Sequence, residues 1–208
     1  MTRQGVLLAT RNQGKLRELR PMLEAAGYLP FDLDTAGISE LPEESTVESH
    51  DTFAANALAK ARYFAARYPH VAVLADDSGL VVDVLGGSPG VQSRRWALLS
   101  GEYDGALDSD AANNARLVRE LARAGGDDHK AQFVCAAAWV EGERELVGVG
   151  KVVGQILLEP RGSHGFGYDP HFLSTELGKG FGEASLEEKA RVSHRARAVA
   201  AVLAQLKG

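Results

Sequence analysis

The sequence predicts an α/β fold organised on a mixed sheet, and three features carry that expectation. Val71, Ala72, Val73, Leu74 and Ala75 form an uninterrupted apolar run, as in a strand buried on both faces. Residues 52–68 instead place Phe53, Ala57, Leu58, Ala61, Phe64 and Ala65 on one helical stripe. Segments of both kinds then keep intermixing along the chain, which is the pattern of layered α/β architecture.

Residues 5–9 read as a short apolar strand, followed by a polar loop and a helix over 15–26 that Gly27 ends. Residues 32–50 are acidic and irregular, and the helix over 52–68 closes at Pro69. The strand at 71–75 is expected to break at Asp76-Asp77-Ser78-Gly79 and resume over 80–84. The glycines and proline of 86–90 mark a loop. A helix follows at 110–124, then strands at 130–140, 144–149 and 151–158, the first two joined around Gly142. A glycine-rich loop spans 161–167 and the last helix 193–206. With no repeat or Pro/Ser-rich linker to divide it, 1–208 is expected to be one compact domain.

Hydrophobic residues make up 45% and charged residues 25%, as in ordinary globular proteins, with a net charge of −5. That acidic balance, without a basic aromatic stretch, disfavours a nucleic-acid-binding module. A small polyanion needs only a few well-placed cations, and the net charge does not exclude one. The lone Cys135 gives neither an internal disulfide nor a cysteine metal site. No apolar stretch is long enough to span a bilayer or to form a signal-peptide core, so a cytoplasmic location without membrane association is expected.

Five places carry candidate chemistry. Thr10-Arg11-Asn12-Gln13-Gly14-Lys15 feeds a helix N-terminus, where free N–H groups and the positive dipole end suit phosphate. Ala9 and Leu16 depart from the Walker pattern, and an ordinary turn with a surface lysine is an equal reading. Adjacent carboxylates at Asp76 and Asp77 are costly to desolvate, and Mg²⁺ is a common remedy; an Asx-type turn is the alternative. Lys60 returns to Phe53's side of its helix, where it either snorkels to water or leans toward an anionic ligand, and Glu48 precedes that helix. Phe166, flanked by Gly165 and Gly167, suits stacking on a flat base, or else is a core aromatic in a turn. Ser193-His194-Arg195 heads the last helix as a cap with solvated charge, or as donors that read carbonyl oxygens.

The ordered set resembles the inosine triphosphatase (Ham1-like) family of non-standard purine nucleoside-triphosphate pyrophosphatases over nearly the whole chain. The matching pieces are Thr10-x-Asn12-x-x-Lys15, Glu48, Thr52-Phe53-x-x-Asn56-Ala57-x-x-Lys60-Ala61, Ala75-Asp76-Asp77-Ser78-Gly79-Leu80, and Asp83-Val84-Leu85-Gly86-Gly87-x-Pro89-Gly90. Phe166-Gly167-Tyr168-Asp169-Pro170, Lys189 and Ser193-His194-Arg195 complete it. The resemblance implies two lobes around a long mixed sheet with flanking helices, an active site in the cleft between the lobes, and a homodimer. It implies hydrolysis of ITP, dITP and XTP to the monophosphate and pyrophosphate. It implies Glu48 and Asp77 as Mg²⁺ ligands and Asp77, ahead of Asp76, as the proton acceptor. The loop of Thr10, Arg11, Asn12, Gln13, Gly14 and Lys15, with Lys60, Ser78 and Lys189, would hold phosphates and sugar. Phe166, Gly167, Tyr168, Asp169, His194 and Arg195 would hold the base.

Two departures stand out. Family members often read Glu-x-Gly-x-Thr-Phe-x-Glu-Asn-Ala, whereas here His50 replaces the glycine and Ala55 the second glutamate. Residues 98–109 also fit the family poorly. Two rival functions follow: a related pyrophosphatase for other modified or pyrimidine nucleotides, and a nucleotide sensor that binds without cleaving.

Overall fold

The computed structural model describes residues 3–101 and 108–207. Half of the poorly fitting 98–109 segment, residues 102–107, lies outside them. The order is β1 (Gly5–Leu8), α1 (Gln13–Ala25), β2 (Leu29–Asp32), α2 (Glu44–Val47), α3 (Phe53–Arg67), β3 (Ala72–Val82), α4 (Trp96–Leu99) and α5 (Ser109–Ala124). Then come β4 (Lys130–Glu141), β5 (Arg144–Ile156), β6 (Phe172–Ser174), β7 (Lys179–Gly180), α6 (Leu186–Val192) and α7 (His194–Lys207). The strands form a seven-stranded sheet in the order β2-β1-β3-β4-β5-β6-β7. It is mixed, as expected: β1 pairs parallel with β2 and β3, while β5–β6 and β6–β7 are antiparallel.

Three expectations are corrected. Asp76-Asp77-Ser78-Gly79 does not break the strand, because β3 runs unbroken through it. These are turn-forming residues by local preference, but distant cations neutralise Asp76 and leave the extended backbone free to stay in the sheet. Residues 144–149 and 151–158 are one strand, β5, whose burial alternates through Gly148, Gly150 and Gly154. A Cβ on Gly150 would collide with the His194 carbonyl and Ala198 N, so these glycines admit a close neighbour rather than end the strand. Part of the region read as irregular holds α2, and β2 just before it contains Pro30. As the edge strand β2 tolerates a residue that cannot donate to a ladder.

The chain divides into two compact units. The first comprises Met1–Asp77, Cys135–Lys151 and His194–Gly208. Its core has two clusters: one joins Leu16, Leu19 and Leu23 of α1 to Val199 and Val202 of α7 and to Trp139, the other joins Ala57, Ala61 and Phe64 of α3 to Val73 and Ala138. The α3 stripe thus buries as its spacing predicted. The second unit comprises Ser78–Val134 and Val152–Ser193. Its core gathers Leu80, Val82, Leu117, Leu121, Phe133, Phe172 and Phe181, with the last three rings in mutual contact. Among the described residues no helix is long and apolar enough to cross a membrane.

Candidate active site

The first unit concentrates the charged groups. Its phosphate-loop candidate is built by local capping: the Thr10 hydroxyl accepts from Asn12 N at 3.2 Å, and Asn12 Oδ1 accepts from Lys15 N at 3.0 Å. Asn12 is therefore the N-cap of α1, and the first-turn N–H groups of Gln13 and Gly14 have no helix carbonyl to take them. Arg11 serves a different end. Its guanidinium binds the Glu44 carboxylate at 3.1 Å and the Ile38 carbonyl at 3.0 Å, fastening the acidic segment to the loop.

Behind this loop the pairing of β1 with β3 runs only from Val6↔Ala72 to Leu8↔Leu74. Further along β3, the Asp76 carbonyl accepts from two side chains instead, Lys60 Nζ at 2.6 Å and Lys15 Nζ at 3.3 Å. Lys15 also meets the Asp76 carboxylate at 3.2 Å, and Lys60 meets Glu48 at 2.5 Å. Lys60 thus leans inward from α3 rather than snorkelling to water. Arg195 completes the set: its Nε lies 3.0 Å from Asp76 Oδ2, and its guanidinium also pairs with Glu18. Asn56 links the remaining pieces. Its amide donates to Asp77 Oδ2 at 2.9 Å and to the His50 carbonyl at 3.2 Å, and its oxygen accepts from His50 N at 2.8 Å. The 48–50 segment is thereby tied to Asn56, and through it to Asp77, by the main chain of His50, so having His50 where the family often has glycine leaves these bonds intact.

The electrostatics separate Asp76, Glu48 and Asp77. Burial opposes the charge on Asp76, but Lys15, Arg195 and Lys60 outweigh it and hold the carboxyl well below the usual range. Burial likewise opposes Glu48, and Lys60 and Lys15 prevail there too. Asp77 goes the other way: burial, helped by the charge of Glu48, lifts it above its ordinary value against the pull of Lys15. Of these seven side chains, Lys15, Lys60 and Arg195 carry 3 positive charges and Glu18, Glu48, Asp76 and Asp77 carry 4 negative ones, a balance of −1. Glu48 and Asp77 therefore fit a divalent cation: both present hard oxygens, the charge of Glu48 opposes ionisation of Asp77, and their surroundings are one positive charge short. Among the described residues no three His, Cys, Asp or Glu form a ready metal cage. Mg²⁺ does not need one, because it binds through one or two carboxylates plus phosphate oxygens and waters.

In the second unit Ser78 follows Asp77 on β3. Lys189 is buried and pairs with Asp169 at 2.5 Å, its ammonium 5.1 Å from the centre of the Phe166 ring and 5.2 Å from that of Phe181. Asp169 also accepts from Phe166 N at 2.9 Å, and Asp110 accepts from Gly167 N at 2.7 Å, so the loop's backbone is pinned by carboxylates on both sides. Positive φ at Gly165 and Gly167 allows that path. The Tyr168 hydroxyl donates to the Ser93 carbonyl at 2.9 Å, making it a core tyrosine of this unit. In the first unit, His194 and Arg195 are both buried at the head of α7.

Glu18 escaped the sequence reading. On α1 it lies beside the apolar face of Leu16, Leu19 and Leu23, where an isolated glutamate reads as solvated; only its partner on α7 identifies it as buried.

A family model described as the Ham1 family matches residues 6–205. A dITP/XTP pyrophosphatase of Ralstonia nicotianae is 45% identical over 205 residues, covering 97% of this chain and 96% of its own. One from Exiguobacterium sibiricum is 44% identical, covering 93% and 92%. Among solved structures, a HAM1 protein of Coxiella burnetii superposes with a TM-score of 0.80 at 31% identity over 98% of both chains. The nucleoside-triphosphatase / dITP/XTP pyrophosphatase of Mycobacterium abscessus gives 0.68 at 40% identity, covering 98% of this chain and 100% of that one.

Proposed function

The chain belongs to the Ham1 family, and from that premise we propose that it hydrolyses the non-standard purine triphosphates ITP, dITP and XTP to monophosphate and pyrophosphate. The observation that carries this reading is the convergence of Lys15 and Lys60 on Asp76, with Lys60 also holding Glu48 and Asn56 holding Asp77.

Water attacks the α-phosphorus, the bond to the bridging oxygen breaks, pyrophosphate leaves and the water's proton passes to Asp77. Asp76, held ionised within its three cations, instead orients Lys15 and Lys60. Those ammoniums and the first-turn N–H groups of Gln13 and Gly14 bind phosphate oxygens, so positioning and charge neutralisation supply most of the barrier reduction. A divalent ion, assigned here as Mg²⁺, would be held by Glu48 and Asp77 and would offset phosphate charge.

Thr10 and Asn12 act by shaping this loop, and Arg11 by tethering it. Ser78 is assigned to the sugar-phosphate side. Phe166 and its neighbours Gly167, Tyr168 and Asp169 are assigned to the base, supported by the carboxylate-pinned loop. Lys189 is assigned to the same loop on account of its pair with Asp169. His194 is the candidate donor to the 6-oxo group. Adenine has an amino group there and would leave a buried donor unpaired, which discriminates by about 10⁴ in sites so built. A homodimer working in the cytoplasm completes the proposal. Pyrophosphate release from ITP, XTP, dITP, GTP and ATP, with and without EDTA, tests it. Rapid, EDTA-sensitive cleavage of ITP over ATP is expected, and equal rates on both would refute base reading.

A further inference from the structure

Helix α5 is a fixed platform in the second unit. Its Leu117 and Leu121 are buried in the core, and its Asn113 accepts from Ala97 N at 2.8 Å and donates to the Arg94 carbonyl at 3.0 Å. Asp108 caps its start, accepting from Asp110 N at 2.9 Å and Ala111 N at 3.0 Å. Asp110 and Asn114 lie one turn apart on this helix, the spacing that brings two side chains to one face. Both reach the same residue. Asp110 Oδ2 accepts from Gly167 N at 2.7 Å, and Asn114 Nδ2 donates to the Gly167 carbonyl at 3.0 Å. Gly167 has a φ of 62°, a left-handed conformation open to glycine without strain. On one side of it, Phe166 is bonded at both main-chain groups to Asp169: its N–H donates to Oδ2 at 2.9 Å and its carbonyl accepts from Asp169 N at 3.2 Å. On the other side the Tyr168 hydroxyl holds the Ser93 carbonyl, next to the Arg94 carbonyl that Asn113 binds. Phe166 therefore stands between anchored neighbours, which fixes the backbone from which its ring projects.

We propose that Asp110 and Asn114 are paired positioning residues for the base-binding loop: they clamp both main-chain groups of Gly167 so that Phe166 is already set for a purine before substrate arrives. This rests on the function proposed above, which assigns Phe166 to the base. The two positions differ in what they must supply. Position 110 needs an acceptor, and an ionised carboxylate makes the stronger bond to an N–H. Position 114 needs a donor, which an amide has and a carboxylate lacks. A loop held in its binding conformation loses less freedom when the ligand binds, so the clamp adds affinity without touching the ligand. Its effect is confined to ligands that carry a base.

Calorimetry with IMP and with inorganic tripolyphosphate, both in magnesium buffer, separates base from phosphates, and KM and kcat for ITP are measured beside it. Asp110→Ala and Asn114→Asp are each expected to weaken IMP by about tenfold, within what one base–aromatic stack contributes. KM for ITP should rise by a similar factor with kcat within about twofold of wild type, the mark of lost uniform binding. Tripolyphosphate affinity stays as in wild type. Asp110→Asn keeps an acceptor for Gly167 N and is expected to bind IMP within about threefold of wild type. Unchanged IMP affinity in either Asp110→Ala or Asn114→Asp overturns the inference. So does an equal loss for tripolyphosphate, which would mark general damage, or a loss in Asp110→Asn as large as in Asp110→Ala. If Asn114→Asp fails to fold, the two substitutions at Asp110 decide the matter. A wild-type protein that neither cleaves ITP nor binds IMP would instead overturn the proposed function.

Discussion

Replacing Asp77 by asparagine removes one of the four carboxylates from a cluster that holds three cations, so the balance moves from −1 to 0. Asparagine is nearly isosteric, and its amide oxygen can still accept from Asn56, whose present bond to Asp77 is 2.9 Å. The fold should therefore persist. Burial and Glu48 both oppose ionisation of Asp77, so the folded chain is strained by this charge when no cation is bound. Its removal should stabilise the metal-free protein by about 1 kcal/mol, in line with other relieved functional charges, or about 2–4 °C in Tm at this length. Turnover should fall by about 10² to 10⁴, the usual worth of a general base. Thermal melting in EDTA and pyrophosphate release from ITP check the two halves separately. A variant that melts lower than wild type would refute the charge argument, and one that keeps kcat within about tenfold would refute the role of Asp77.

Lys60→Met leaves Glu48 and the Asp76 carbonyl without their shared ammonium and should cost about 3 kcal/mol; adding Glu48→Gln should restore part of the lost Tm but none of the ITP turnover. Gly150→Ala forces a methyl against the His194 carbonyl and should cost about 2 kcal/mol, read as a lower urea midpoint together with a raised KM for ITP. In the second unit, bonds from Lys179 and from the Ser185 N–H hold Glu188 at about 2, against an ordinary value of 4.5. Its stabilising contribution is therefore complete above pH 4.5 and is lost as pH falls toward 2. Glu188→Gln should melt below wild type at neutral pH and converge with it across that window, and a gap that stays constant in acid would count against the assignment.

What the sequence made legible was local. The short strand β1, the stripe of α3 and the apolar run opening β3 each depend on residues a few positions apart, and each is found where its pattern placed it. The neutralisation of Asp76 was not legible, because its partners lie 16, 61 and 119 positions away. Without them two aspartates, a serine and a glycine read as a turn, and the strand was expected to stop. Gly150 of β5 misled in the same way, since its purpose is set by a helix more than forty positions downstream. A capping box at Ser185 and Glu188 was present in the sequence and marks the start of α6, but the short helix went unassigned. Glu18 had no local signal at all.

Water is proposed to add at the α-phosphorus, and hydrolysis of ITP in H₂¹⁸O tests that step. Mass spectrometry of the products should find the heavy oxygen in IMP and none in pyrophosphate. Label in pyrophosphate, or release of inorganic phosphate with IDP, would place the attack elsewhere on the chain of phosphates and contradict the arrangement of Asp77, Lys15 and Lys60 proposed here.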